Sequence, residues 1–500
     1  MSAIEIAPRP TGRPDTGRGR TESIRILLRL TLLELRRSPM PLMLPLVAVM
    51  FWFDALRSGE SLPAMWVQRA SILPDHVLPD LGPIAAGMAA WVAGREQRRG
   101  MGDLAESTAR PRWLRQLACW GGALGWTLLA FAACTTVAYL LAARAAAWGG
   151  VPVWPIVVTG VAVAAFCTTG FVAGAVFPSR FTAPLAALGT LFASVFVYQL
   201  AVAADSGLSL ISPNNSVPPI DWGVFHPVPA DLAIVQTVFF AGFVILLLGV
   251  LGALGAVHSA QLRRTAIAVT SIGLAGCVAG LALASTATRG SNGYNVPALH
   301  NAANNHPIPY TPDCTHGTAI PVCIHPVFAA DLPSVSTAFA PLIATMAGLP
   351  GAPSQVEQID FADLPPLDSS RAHLGYAQFG AWTALTTTAN GAPVLEYGFG
   401  DPSAFSEPDI VANLRSQAAQ LVIDHIIAPN GNPDAAQQAV ELALMQKANA
   451  PADPSATAPD PGVAAVAGRF AALDPSRTHT WLTAHLDQLH AGQITLEEVP

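Results

Sequence analysis

Seven apolar stretches lie between Pro39 and Ala287, and every arginine-dense segment falls on one side of the path they trace. They run from Pro39 to Leu56, Leu78 to Gly94, Leu117 to Leu141, Val153 to Phe177, Phe181 to Ala204, Leu232 to Val257 and Thr265 to Ala287. Crossing the hydrocarbon core takes roughly 20 mostly apolar residues, so each stretch is a candidate span. The first two are short and are interrupted by Pro41, Pro45 and Pro83. Residues 38–287 are therefore expected to form an α-helical polytopic membrane bundle of six to seven spans.

Charge orients it. With a cytoplasmic N-terminus, the inner segments hold eight arginines through Arg37, six from Arg95 to Arg115, then Arg180, Arg263 and Arg264, whereas the outer connections hold only Arg57, Arg69 and Arg144. The positive-inside bias selects this orientation. An odd number of spans then puts residues 288–500 outside the cytoplasm, making the chain a multi-pass cell-membrane protein in contact with lipid. The two parts differ in charge: residues 1–287 balance at +6 and residues 288–500 at −13. So acidic a domain is a poor partner for nucleic acid.

Cys119, Cys134, Cys167 and Cys277 fall within spans, where a thiol acts as a small apolar residue. Cys314 and Cys323 lie outside, nine residues apart in a loop-like stretch. In an oxidising compartment they are expected to be bridged, the alternative being two free thiols.

Residues 1–20, rich in Pro, Gly and Arg, are expected to be a disordered cytoplasmic tail. Over residues 21–37, Ile24, Leu27, Leu28, Leu32 and Leu35 share one helical face, and Arg25, Arg29 and Arg36 another. Such a helix suits the headgroup layer; its alternative is the polar start of the first span. From Asp205 to Asp231 five prolines surround Ile220–Phe225, expected to dip into the membrane interface. Beyond Ala287 a Gly/Asn-rich linker to about Asn295 leads into an α+β domain. Helices are expected over Pro333–Gly348, Pro408–Ile427, Asp434–Ala448, Val463–Leu473 and Pro475–His490, with strands over Gln355–Phe361 and Ala381–Thr388.

Lys447 is the only lysine and has no phosphate-binding glycine loop around it. A Walker A site needs lysine within Gly-x-x-x-x-Gly-Lys-Ser/Thr, so this chain is not expected to hydrolyse ATP by that device. It also contains no Gly-x-Ser-x-Gly elbow and no His-Glu-x-x-His helix, and no enzyme activity or cofactor is expected of it. His300, His306, His316 and His325 cluster near the two outer cysteines. His306, His316 and His325 are weak metal-ligand candidates, since their spacing matches no strong ligand template, and ordinary polar loop histidines are expected instead.

Three elements in order carry a resemblance to the ABC-2 type permease family: the amphipathic Thr21–Arg37, the loop Arg95-Glu96 through Arg115 with its Arg-Glu, Gly and Pro-Arg elements, and the Asp205–Asp231 connection. They look like that family's interfacial helix, its coupling segment between the second and third spans, and its re-entrant segment between the fifth and sixth. The resemblance implies a membrane half-transporter that pairs as a homo- or heterodimer and draws on ATP through a separate ATPase subunit. The loop residues Arg95, Glu96, Arg98, Arg99, Arg110, Arg112 and Arg115 would receive the ATPase movement. A seventh span and the added domain depart from the family plan of six spans. The expected function is the permease subunit of an ATP-driven exporter; the alternative is a membrane-anchored sensor or binding protein with an outer recognition domain.

Overall fold

A computed structural model describes residues 16–60, 62, 64–100, 112–197, 210–212, 223–256, 259–290, 293–359, 381–388, 390–399, 408–429, 431–450 and 458–500. Helices occupy all seven expected span positions. α1 (Thr16–Arg37) begins inside the stretch expected to be tail. It bends by 46° into the helix that runs from Met40 to Leu56, whose middle is α2 (Leu44–Met50) and whose end is a π-helical turn, Phe51–Leu56. A second π-helical turn, Leu73–Val77, leads into α3 (Leu78–Ala93). Then come α4 (Arg112–Ala145), α5 (Trp154–Val176), α6 (Thr182–Phe192), α7 (Asp231–Gly255) and α8 (Ala260–Ala284).

By length and composition, α4, α5, α7 and α8 can each cross a membrane, and the bent pair α1–α2 can count as one more crossing. α3 has 16 residues, and the described part of the fifth expected span is the helix Thr182–Phe196, residues 198–204 of that span lying outside the described residues. Of the expected six to seven spans, four are thus straight helices of full length among the described residues; Pro41, Pro45 and Pro83 lie in the first two, which the sequence already marked as short, where proline removes backbone donors.

The bundle is packed through small residues. A Cβ on Gly170 would lie 1.9 Å from the Ala86 carbonyl oxygen, and one on Gly174 2.2 Å from that of Ala90, so α5 and α3 touch backbone to backbone. This small-x-x-x-small contact is how apolar helices associate where burial in lipid offers no drive of its own. α7 and α8 pair similarly at Gly242 and Gly273. Bulky side chains point outward: among the described residues, every exposed large apolar side chain lies between Leu28 and Val278. A surface of that kind belongs in a membrane.

A fifth helical stretch, Pro326–Met346, also passes the length and composition test. It lies in the C-terminal domain, where its main part, α9 (Leu332–Met346), buries Val335, Phe339, Leu342 and Met346 in the domain core. That core contains a five-stranded sheet of β3 (Asp313–Cys314), β4 (Val322–Ile324), β5 (Val356–Gln358), β6 (Ala381–Thr387) and β7 (Pro393–Phe399), in the order β3-β4-β5-β7-β6. β4, β5 and β7 run parallel, and β3 and β6 close the edges antiparallel. Around it stand α9, α10 (Pro408–Ile427), α11 (Ala435–Lys447), α12 (Pro461–Ala472) and α13 (Pro475–His490). Asp434 and Asp474 cap α11 and α13 by accepting backbone N–H bonds.

Two expectations are corrected. The linker to Asn295 contains an antiparallel pair, β1 (Thr288–Gly290) with β2 (Gly293–Asn295). The following Val296 N–H and His300 Nδ1 bond the buried Asp231 carboxylate at the start of α7, at 2.9 and 3.2 Å. And Val224 and Phe225, expected at the membrane interface, are buried in the core of the C-terminal domain together with Met65. The domain therefore sits on the bundle loops that carry these three residues.

Candidate functional site

The opposite end of the bundle gathers the arginines. α3 stops at Gly94, where a Cβ would meet the Arg98 guanidinium at 2.4 Å and the Gly174 carbonyl at 3.3 Å. One helical turn, Arg95–Arg98, follows, and the chain reverses at Gly100 with φ +67°. Within that turn Arg95 Nη2 donates to Glu34 Oε2 of α1 at 3.0 Å. Burial disfavours the Arg95 charge, but the Glu34 carboxylate more than restores it, so the guanidinium pKa lies above its ordinary value. Arg98 lies 4.3 Å over the Trp91 ring and donates to the Trp91 carbonyl, folding back on α3.

The start of α4 supplies the facing wall. Trp113 packs against Gly252 near the end of α7, where an added Cβ would be 2.6 Å from the indole. Further along, α1 lies on α4: Trp126 Nε1 donates to the Leu35 carbonyl at 2.7 Å, and a Cβ on Gly122 would sit 3.1 Å from Glu34 Cβ. Between α3 and α4 opens a pocket of about 680 Å³, mouth included. Arg95, Glu96, Arg112, Arg115 and Gln116 form its polar wall, and Val92, Cys119, Phe171 and Ala175 its apolar floor.

Of the seven loop residues singled out from the sequence, four line this pocket: Arg95, Glu96, Arg112 and Arg115. Arg98 is engaged with Trp91, Arg99 is exposed, and Arg110 lies outside the described residues. Glu96 is exposed, and among the described residues it forms no ion pair. Guanidinium groups around an exposed carboxylate suit charged hydrogen bonds to a partner surface. Glu34 is the residue that sequence reasoning missed. Its acidic side chain in an arginine-rich helix was visible, as was that of Glu22, but the partner lies 61 residues away. Of the expected re-entrant connection, residues 210–212 and 223–231 are described, and the Leu210 and Ser212 carbonyls accept from Gln236 Nε2 at 3.0 and 2.8 Å.

In the C-terminal domain Cys314 and Cys323 are disulfide-bonded and stand opposite one another in the β3–β4 register. The histidines are not gathered around them. His300 bonds Asp231 and Asn305, His306 and His316 are exposed, and His325 is fully buried among aromatic rings. Among the described residues no three His, Cys, Asp or Glu groups converge as a ligand set.

Comparison of the chain with protein-family models, with curated proteins and with solved structures found no match.

Proposed function

We propose that this chain is the membrane-spanning permease subunit of an ATP-driven exporter of the ABC-2 type, powered by a separate ATPase that binds the arginine-rich end of the bundle. The observation that carries this reading is the pocket between α3 and α4, where Arg95, Arg112, Arg115 and the exposed Glu96 stand together and Arg95 is tied to α1. A subunit seated there engages three helices at once. By the positive-inside rule this end faces the cytoplasm, and the C-terminal domain with its disulfide lies in an oxidising space. In this reading ATP hydrolysis falls to the partner, which is supported by the lack of a Walker A glycine loop around Lys447, the only lysine. A second permease copy, identical or related, completes the transporter. The membrane-anchored sensor is the second reading; it is favoured by the burial of Met65, Val224 and Phe225 in the C-terminal core, through which a ligand-induced change would reach the bundle directly.

The test is Glu96→Arg in the full chain, read by co-purified ATPase activity. Charged hydrogen bonds in shielded sites contribute about 1.5–3 kcal/mol each, so reversal should strip the ATPase from the complex or leave its hydrolysis unresponsive. Reporters fused after Arg20 and after Pro500 should still be active only inside and only outside the cytoplasm, respectively. Unchanged ATPase association and activity in the variant would shift the assignment to the sensor, and cytoplasmic activity of the Pro500 fusion would refute the topology.

A further inference from the structure

At the junction between bundle and C-terminal domain stands the fully buried imidazole of His325, at the end of β4. Trp148, from the α4–α5 connection, meets it edge-on with ring centroids 4.5 Å apart, and Phe225, from the chain before α7, lies at 5.3 Å. Tyr310 and Phe328 of the C-terminal domain lie at 4.4 and 6.3 Å. The cage is itself cross-linked: Trp148 Nε1 donates to the Val224 carbonyl at 3.2 Å, and the Ile308 N–H to the Phe225 carbonyl at 2.6 Å. The bundle loops join each other as well, with the Ala147 N–H on the Ala64 carbonyl at 2.7 Å. Bundle loops and domain thus close on one side chain.

Hydrogen bonds define the state of that ring. Nδ1 accepts from the Val327 N–H at 3.2 Å, capping the 3₁₀ turn Pro326–Asp331, so the imidazole is neutral with its proton on Nε2. Nε2 is buried and has no hydrogen-bond acceptor among the described residues. Burial pushes the pKa down from 6.5 to about 4. Among the described residues His325 enters no ion pair. The titratable groups on the surrounding elements are Tyr310, His226 beside Phe225, Asp331 at the far end of the 3₁₀ turn, Asp313 on β3, Glu357 on β5, and Tyr397, which donates to the Cys323 carbonyl at 3.0 Å.

We propose that His325 is an acid-released latch: as neutral imidazole it locks the C-terminal domain onto the bundle loops, and its protonation opens that junction. The added proton sits on Nδ1, where it meets the Val327 N–H as donor against donor. It uncaps the 3₁₀ turn and leaves a cation among aromatic rings with no paired carboxylate. The latch is fully set above pH 6.5 and weakens as pH falls toward about 4, because the opened form takes up the proton first. The closed-to-open ratio should fall roughly thirtyfold between about pH 7.5 and about pH 5. This behaviour belongs to the junction and holds under either reading of function.

Amide hydrogen exchange on the full-length chain in lipid nanodiscs, scaled to intrinsic rates at each pH, provides the test. Exchange over residues 146–148, 223–225 and 308–310 should rise at least about tenfold from about pH 7.5 to about pH 5 and reverse on neutralisation, with α10 and α11 still protected. His325→Phe, which fills the cage without a titrating nitrogen, should abolish the rise, and His226→Gln should leave it in place. Unchanged protection in the wild type, an equal rise in His325→Phe, or a rise abolished by His226→Gln would overturn the proposal. If His325→Phe fails to assemble, the imidazole carbon signal of His325 in the wild-type chain decides. Its titration must share the midpoint of the exchange transition, and separate midpoints would overturn the latch.

Discussion

α5 of the bundle and the helical stretch ending in α9 of the C-terminal domain are both long and apolar enough to cross a bilayer, yet they bury different mixtures of side chains. α5 buries mainly small residues, Ala162, Cys167, Gly170 and Gly174 among them, with Val158, Val163 and Phe171 between, whereas α9 turns Val335, Phe339, Leu342 and Met346 inward and leaves Ser334 and Thr337 exposed. The solvent explains the contrast. Water drives bulky apolar groups together, while lipid leaves them where they are and rewards only close backbone packing. Hydropathy alone therefore cannot separate a span from a core helix; the direction in which the large residues point does.

The contrast breaks first at Gly170. Gly170→Val places a branched side chain where even a Cβ lies 1.9 Å from the Ala86 carbonyl oxygen, and the neighbouring atoms are backbone. Overpacking usually costs about 1–3 kcal/mol, and here no side chain can yield, so the larger loss expected is of the monodisperse bundle itself. Size-exclusion chromatography of the detergent-extracted chain measures it; a normal profile would mean that α3 and α5 are not in backbone contact.

Phe339→Ala tests the other side of the comparison. Phe339 is fully buried and its ring lies tilted against that of Tyr397 with centroids 5.4 Å apart, so its truncation should destabilise the C-terminal domain by about 3–5 kcal/mol. The chain should nonetheless remain inserted and monodisperse, since this side chain belongs to the core of the C-terminal domain and not to that of the helical bundle. Domain unfolding in denaturant, followed by near-UV circular dichroism, gives the magnitude, and a loss below about 1 kcal/mol would mean that α9 is not a core helix.

The smallest effect belongs to the ion pair of α1. Arg95 and Glu34 side chains are 23% and 30% exposed, which places their coupling at about 0.2–1 kcal/mol in a double-mutant cycle with Arg95→Ala and Glu34→Ala. A coupling indistinguishable from zero would free α1 from the pocket wall.

Local chemistry made much of the fold legible. α10 and α13 start and stop where the sequence reading puts them, because Pro408 and Pro475 open helical periodicity that ends at Ile427 and His490. β7 was hidden: Pro393 opens it, Gly398 lies near its end, and both residue types disguise a strand at the centre of a sheet. The loop Arg95–Arg115 announced itself by charge, but the Glu34 contact and the junction at His325 depend on residues remote in sequence. Met65, Trp148, Phe225 and His325 carry no shared local pattern, and only the folded chain assembles them.

The length of α4 has a mechanical meaning. At 34 residues without a proline it is a rod of about 51 Å, far longer than a bilayer core requires. Its first turn forms a wall of the arginine pocket, and the chain leaving its last turn delivers Trp148 to the His325 cage. A tilt of about 10° about either end displaces the other by roughly 9 Å, more than the full height of an aromatic ring. The arginine pocket and the His325 cage are thus joined by one unbroken rod, so neither end can tilt without the other being carried with it.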